Sequence, residues 1–281
     1  MLRTRVITAL VLFLALFVVL FYGGSAGWAV FLTAVLFFGL WEWARLGQLS
    51  PRYCVLYALV GTLVCTGVFQ WMSVYSFAFP VMGLASIFWI VFAPLCLRKL
   101  SIRPFNQPVA FLLLGVLLLA AGCVALLLAK TVGLVFLLSI LSICWVADIF
   151  AYFFGKALGQ HKLAPSISPG KSWEGAIGGT CSVLLLSWLV VGLASEFSVL
   201  RSTWQYMAYQ DWHPAVFSCG LVLIGAFSVV GDLFESMLKR SVGMKDSSQL
   251  LPGHGGVLDR IDAQLPVLPL ALLLFGQHLF L

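Results

Sequence analysis

The chain has 281 residues, of which 62% are hydrophobic and 9% charged, and its mean hydropathy is +1.07. Soluble proteins carry about 25% charged residues, so a water-soluble fold is excluded and a lipid bilayer is the expected solvent. The net charge of +6 does not signal nucleic acid, because outside one late segment no Lys/Arg cluster is long enough to follow a phosphate backbone.

A crossing needs about 20 apolar residues, and an ionised side chain at bilayer depth is costly. Charge-free stretches fall at 6–41, 53–97, 104–129, 131–147, 175–195, 212–231 and 263–281. The first is too long for one helix and breaks at Gly23-Gly24-Ser25-Ala26-Gly27; the second breaks in the polar turn at 70–76. The expectation is an all-α integral membrane protein of nine crossings, since nothing alternates with period two and backbone groups in lipid must be satisfied within each segment. Arg3 and Arg5 before an apolar run imitate a secretory signal, but residues 6–22 exceed its usual apolar core of about 7–15 residues, so an uncleaved first helix is expected.

Cytoplasmic loops retain Lys and Arg. With the N-terminus inside, Arg3, Arg5, Arg45, Arg52, Arg98, Lys99, Arg103, Lys156, Lys162, Lys171, Lys239, Arg240, Lys245 and Arg260 are cytoplasmic, and only Lys130 and Arg201 fall outside. The C-terminus, after nine crossings, is then outside. The whole chain, 1–281, reads as one membrane domain, with 1–130 as helical scaffold and 131–281 as catalytic helices and loops.

Residues 1–130 hold a single acid, Glu42, flanked by Trp41 and Trp43 near the cytoplasmic boundary, where aromatic side chains anchor helices. Pro80 and Pro94 suggest a kink in the fourth span, and Pro104 and Pro108 a rigid connection after it. No chemistry is assigned to this half. The seven cysteines stand singly, without Cys-x-x-Cys spacing, and read as small hydrophobes.

From residue 148 the character changes, and nine of the ten acids lie there. Asp148 sits within a helical pattern with Tyr152 and Gly155 on the same face, and an intramembrane carboxylate is by default functional. The segment Ser168-Pro169-Gly170-Lys171-Ser172-Trp173-Glu174-Gly175 opens the next helix. Gly170-Lys171-Ser172 is not a Walker loop, because Pro165 stands where the pattern needs glycine. A lysine beside hydroxyls at a helix N-terminus nevertheless suits an anion such as phosphate. Gly175 and Gly179 read as a close helix-packing pair.

The strongest signal runs from Gly231 to Asp262. Asp232, Ser236, Lys239 and Arg240 share one helical face; Lys245-Asp246, His254-Gly255-Gly256 and Asp259-Arg260-Ile261-Asp262 follow. The paired glycines permit close backbone approach or positive φ, and Asp259 and Asp262 can face one direction. Such a mixture suits phosphates handled on Mg²⁺, with Asp232 and Asp259 as the metal-binding carboxylates and Lys and Arg neutralising the remaining charge. The lack of a Cys/His cluster argues against zinc.

The run Ser236-x-x-Lys239-Arg240-x4-Lys245-Asp246-x7-His254-Gly255-Gly256-x-x-Asp259-Arg260-x-Asp262 resembles the signature of the phosphatidate cytidylyltransferases, or CDP-diacylglycerol synthases. Ala147-Asp148-x-x-Ala151-Tyr152-x-x-Gly155-Lys156 and the 168–175 segment resemble that family's bacterial members. The resemblance covers roughly 145–265 and implies that CTP and phosphatidic acid give CDP-diacylglycerol and pyrophosphate at the cytoplasmic face of the inner membrane. It further implies a homodimer, Mg²⁺ with a second monovalent cation such as K⁺, and a catalytic role for Asp232, Ser236 and Asp259. Lys239 and Arg240 are expected to join these in catalysis. Asp148, Lys171, Ser172, Lys245, Asp246, His254, Gly255, Gly256, Arg260 and Asp262 are expected to bind substrate. Two rivals share the setting: a CTP-dependent lipid kinase, which would transfer the γ-phosphate, and a transporter of an anionic solute, whose site should lie near the midplane.

Overall fold

The structure, a computed structural model, describes residues 2–71, 74–102, 105 and 107–275. Arg103, Pro104 and the end of the expected ninth crossing, 276–281, lie outside the described residues, as do residues 72 and 73 of the second break.

Helices dominate. α1 (Leu2–Phe21) and α2 (Gly24–Leu46) are separated at the glycine break, where Gly24 has φ +58°. Next come α3 (Pro51–Trp71), α4 (Val74–Ile87) and α5 (Ala93–Lys99), with a π-helical turn at Phe88–Phe92 joining the last two. The turn falls just before Pro94, whose missing N–H and ring cannot follow a regular α-helix, so the expected disturbance is a local widening of the ladder. α6 (Pro108–Val132) begins on the second expected proline, which suits a first helical position because its missing N–H needs no partner there. α7 (Leu134–Leu158), α8 (Trp173–Leu193), α9 (Trp204–Asp211), α10 (Pro214–Ser241), α11 (Leu258–Ile261) and α12 (Gln264–Phe275) complete the bundle. Among the described residues, seven helical segments are long and apolar enough to cross a membrane: Gly24–Leu46, Pro51–Gln70, Ser76–Lys99, Pro108–Val132, Leu134–Leu158, Trp173–Leu193 and Pro214–Ser241. The protein is thus an all-α integral membrane protein, with one small addition. Between α7 and α8 lies a two-stranded antiparallel hairpin, β1 (Lys162–Ala164) and β2 (Ser168–Ser172).

α6 and α12 form the centre. Leu118, Ala121, Val124, Ala125 and Leu128 of α6, and Val267, Ala271 and Leu272 of α12, are fully enclosed. Helices apolar on every side belong inside a bundle. α1 lies at the periphery, with Ile7, Leu10, Phe13 and Leu14 exposed. Its two ends mark the two faces of the bundle. Thr8 donates to Pro252 O (2.9 Å), in the loop before α11, whereas Leu20 O accepts from Lys130 Nζ (3.2 Å) at the end of α6.

The closest packing joins α7 to α8, as the two glycines led one to expect. A Cβ on Gly175 would stand 2.7 Å from Ala151 O, and one on Gly179 only 2.5 Å from Ala147 O, so backbone meets backbone along this seam. Gly179→Val should therefore lower the thermal midpoint of the detergent-solubilised protein, because overpacking a tight contact costs roughly 1–3 kcal/mol. Gly192→Val is the control and should leave it unchanged, since no atom lies within 4 Å of a Cβ there.

Candidate active site

The site is built where α7, the hairpin, α8, α10 and the loop 242–257 converge. Ser172 ends β2 and caps α8, its Oγ accepting from Gly175 N at 3.2 Å. That hydroxyl is committed to the helix start. The neighbouring Lys171 points to α10, pairing with Asp232 Oδ2 at 2.5 Å, while Ser236 Oγ donates to Asp232 Oδ1 at 3.3 Å. Arg240 secures the hairpin from the other side, donating to Ile167 O (3.3 Å) and Met244 O (3.4 Å). His161 closes the base of the hairpin: its Nδ1 lies 2.6 Å from Glu174 Oε1 in the first turn of α8.

These contacts leave a cleft of about 430 Å³ lined by Asp148, Tyr152, Gly155, Lys156, Lys171 and Asp232 among others. The face expected from the Asp148, Tyr152 and Gly155 spacing is one wall of it. A second cleft, of about 620 Å³, is lined by Lys245, Asp246, His254, Gly255 and Arg260. Lys245, Asp246 and Arg260 are exposed, and His254 Nδ1 is buried without a hydrogen-bond partner. Of the expected residues, Asp148, Lys171, Ser172 and Asp232 thus line the first cleft and Lys245, Asp246, His254, Gly255 and Arg260 the second, whereas Ser236, Lys239, Arg240, Gly256, Asp259 and Asp262 line neither.

Lys239 and Asp259 form the link from α10 to α11. Lys239 pairs with Glu235 one turn earlier and with Asp259 Oδ1 at 2.5 Å. Asp259 Oδ2 accepts from Ser247 N (2.9 Å), Ser247 Oγ (2.8 Å) and Gly256 N (2.7 Å). Burial alone would raise the Asp259 carboxyl, but the Lys239 hydrogen bond, the Gly256 N–H and the Lys239 charge outweigh it and hold the group below its ordinary value. Asp262 continues the helical backbone of α11 but has a different partner, its Oδ1 accepting from Ala263 N at 2.8 Å. Burial first, and then the charge of Asp232, push the Asp262 carboxyl well above its ordinary value.

The loop 242–257 is held by a residue that sequence reasoning placed in the scaffold. Glu42 of α2 is fully buried. Its Oε1 accepts from Ser248 Oγ (2.6 Å) and Val257 N (3.0 Å), and its Oε2 from Leu258 N (2.7 Å). Ser247 Oγ lies 3.2 Å from Oε2 as well as 2.8 Å from Asp259 Oδ2, so its single proton is shared between the two carboxylates. Among the described residues no cation pairs with Glu42. Four neutral donors compensate for its burial instead. Both glycines of His254-Gly255-Gly256 are closely approached: a Cβ on Gly255 would stand 2.5 Å from Asp259 Oδ2, and one on Gly256 would strike Ser247 Oγ and Glu42 Oε1. Of the two, Gly255 alone also takes a positive φ, +79°.

The expectation for the flanking tryptophans needs correction at Trp43. It is 2% exposed, stacks on Phe111 at 5.0 Å and donates from Nε1 to Phe111 O at 2.9 Å, so it is a core residue and not an interfacial anchor. Glu42, Glu235, Ser247 and Ser248 were absent from the expected site. The available signal was that Glu42 is the lone acid of the first 130 residues, in an apolar helix.

An integral membrane protein with carboxylates, lysines and arginine gathered around polar clefts belongs to the class of membrane enzymes that handle anionic substrates. The chain matches the Cytidylyltransferase family over residues 3–277, and it belongs to that family. It is 34% identical to a phosphatidate cytidylyltransferase of Haemophilus influenzae, covering 96% of each chain, and 38% identical to one of Pseudomonas aeruginosa, covering 96% of this chain and 95% of that one. Over 70% of this chain and 71% of the relative, it is 39% identical to a phosphatidate cytidylyltransferase of Staphylococcus aureus.

Removing the Glu42 carboxylate orphans the Val257 and Leu258 N–H groups and the Ser248 hydroxyl, each costing about 1–3 kcal/mol if it stays buried, while Ser247 Oγ keeps Asp259. Glu42→Ala should therefore raise amide hydrogen exchange across 247–258 at least tenfold, with α7 unchanged and Glu42→Gln intermediate. Wild-type exchange in that segment of Glu42→Ala would contradict the anchoring role.

Proposed function

We propose that the protein is a phosphatidate cytidylyltransferase of the bacterial type, transferring the cytidylyl group of CTP to phosphatidic acid to give CDP-diacylglycerol and pyrophosphate. The observation that carries this reading is the match along nearly the whole chain to relatives named for that reaction. The site's charge distribution supports it. Lys156 and Lys171 border the cleft at the head of α8, and Lys245 and Arg260 border the second, so each can neutralise a phosphate.

The phosphate monoester of phosphatidic acid is already an anionic nucleophile at neutral pH, so no activated Ser or Cys is required. One of its oxygens attacks the α-phosphorus of CTP in line, forming a new P–O bond as the bond to the bridging α,β-oxygen breaks and pyrophosphate leaves. Lys171 and Arg260, which line the two clefts, hold the phosphates, while the buried Lys239 acts through Asp259. Ser236 orients Asp232, and the Ser247 and Gly256 amides orient Asp259.

The donor set fits Mg²⁺. A carboxylate offers about four lone-pair sites. Asp232 faces the cleft, and Asp259 Oδ1 takes one donor, Lys239, leaving capacity for a cation. Among the described residues no group of three or more His, Cys, Asp or Glu forms an all-protein cage, which accords with an ion bound by one or two carboxylates plus substrate phosphates. Asp232 and Asp259 would hold the ion. When bound, it supplies positive charge to the phosphates and fixes their orientation. A monovalent cation such as K⁺ beside it, and a homodimeric assembly, follow from the family resemblance.

We further infer nine crossings, with α1 the first and α12 the start of the ninth, an N-terminus in the cytoplasm, and a site on the cytoplasmic face of the bacterial inner membrane. The contact of Thr8 with the loop at Pro252, and of Lys130 with the far end of α1, supports that polarity, because the cation-rich end is also the site end.

Purified protein in mixed micelles should release pyrophosphate only when CTP, phosphatidic acid and Mg²⁺ are all present. Asp232→Asn and Asp259→Asn should each lower turnover on the order of 10²-fold while membrane insertion is unchanged. Near-normal turnover by both variants would overturn the assignment of the metal.

A further inference from the structure

Arg260 belongs to two cavities of opposite character. On one side it lines the polar cleft with Lys245 and His254; on the other it stands at the end of an apolar groove of about 200 Å³. The groove is bounded by α1, α2, α6, α7 and α12, through residues that include Leu16, Trp28, Gly122, Leu126, Trp145 and Leu268. Along α6 it runs from Leu119 to Leu126, roughly 10 Å at about 1.5 Å per residue. It therefore leads from the charged face of the bundle towards its apolar middle. Apart from Arg260 and Gln264, both at the site end, its walls are apolar.

We propose that this groove holds an acyl chain of phosphatidic acid, with Arg260 at its mouth receiving the lipid phosphate. The inference rests on the enzymatic reading above and adds to it where the lipid lies and what sets chain selectivity. Groove and lipid match in polarity. A phospholipid is an anionic head joined to an apolar chain, and here a guanidinium joins a polar cleft to an apolar slot. Arg260 is exposed and bound to no carboxylate among the described residues, so its donors are free to take a phosphate. The lipid would then lie on the α1, α2 and α6 side of Arg260. The cleft between the hairpin and Asp232 would be left to the nucleotide.

Gly122 gives a direct test, because a Cβ placed there meets only Leu265 Cδ2, at 3.3 Å, and a longer side chain would occupy the groove. Gly122→Leu should lower the ratio of kcat/KM for dioleoyl over dihexanoyl phosphatidate about tenfold, which the loss of two buried methylenes suffices to produce. The KM for CTP should stay at its wild-type value. A second measurement does not depend on the variant folding. Wild-type protein is irradiated with a phosphatidate carrying a diazirine midway along one acyl chain, and the labelled peptides are mapped. Label within 119–126 or 264–268 supports the groove. With CTP-dependent turnover intact, label confined to other helices together with an unchanged chain-length ratio overturns the groove alone. Absence of turnover in the wild-type preparation overturns the enzymatic reading and this proposal with it.

Discussion

A single buried carboxylate organises the chemistry of this protein. Glu42 lies in α2, yet its four donors all come from the segment 247–258, more than two hundred residues later. An uncompensated charge at that depth would be prohibitive, so the loop must close over it to supply its N–H and O–H groups. The requirement acts in both directions. The carboxylate is tolerated because the loop is there, and the loop has one conformation because the carboxylate is there. Ser247 passes the constraint on to Asp259, and Asp259 to Lys239 and α10. The helix carrying Asp232, the loop carrying His254 and the turn carrying Arg260 are thereby held in one arrangement.

That arrangement explains how a chain with so few charges can keep nine of its 26 within the 31 residues from Asp232 to Asp262. Most are compensated in pairs or by backbone donors: Lys171 with Asp232, and Lys239 with Glu235 and Asp259. Lys245 and Arg260 remain exposed on the clefts, where an anionic substrate can meet them. Membership of the cytidylyltransferase family gives those cations a task, since both CTP and phosphatidic acid bring phosphate to the site.

Local pattern made much of this readable from sequence. The two glycines on α8 were legible as a packing seam because small residues four apart share a helix face, and the face carrying Asp148, Tyr152 and Gly155 was legible for the same reason. Gly255 and Gly256 were legible as a pair, though not that both would be closely approached and Gly255 alone would take the positive φ. What could not be read depended on partners distant in sequence. Glu42 next to two tryptophans resembles a membrane-boundary motif until its donors are found beyond residue 246, and Trp43 resembles an anchor until Phe111 covers it. The different partners of Asp259 and Asp262 were not legible either, because Lys239, Ser247 and Gly256 reach Asp259 from other segments.

The central claim is that a phosphate oxygen of the lipid attacks the α-phosphorus of CTP. The most direct measurement follows two labels at once in the purified protein, with CTP carrying one isotope at the α-phosphate and another at the γ-phosphate. The account predicts the α label in the lipid product and the γ label in pyrophosphate. Recovery of the γ label in lipid, with CDP released, would contradict it.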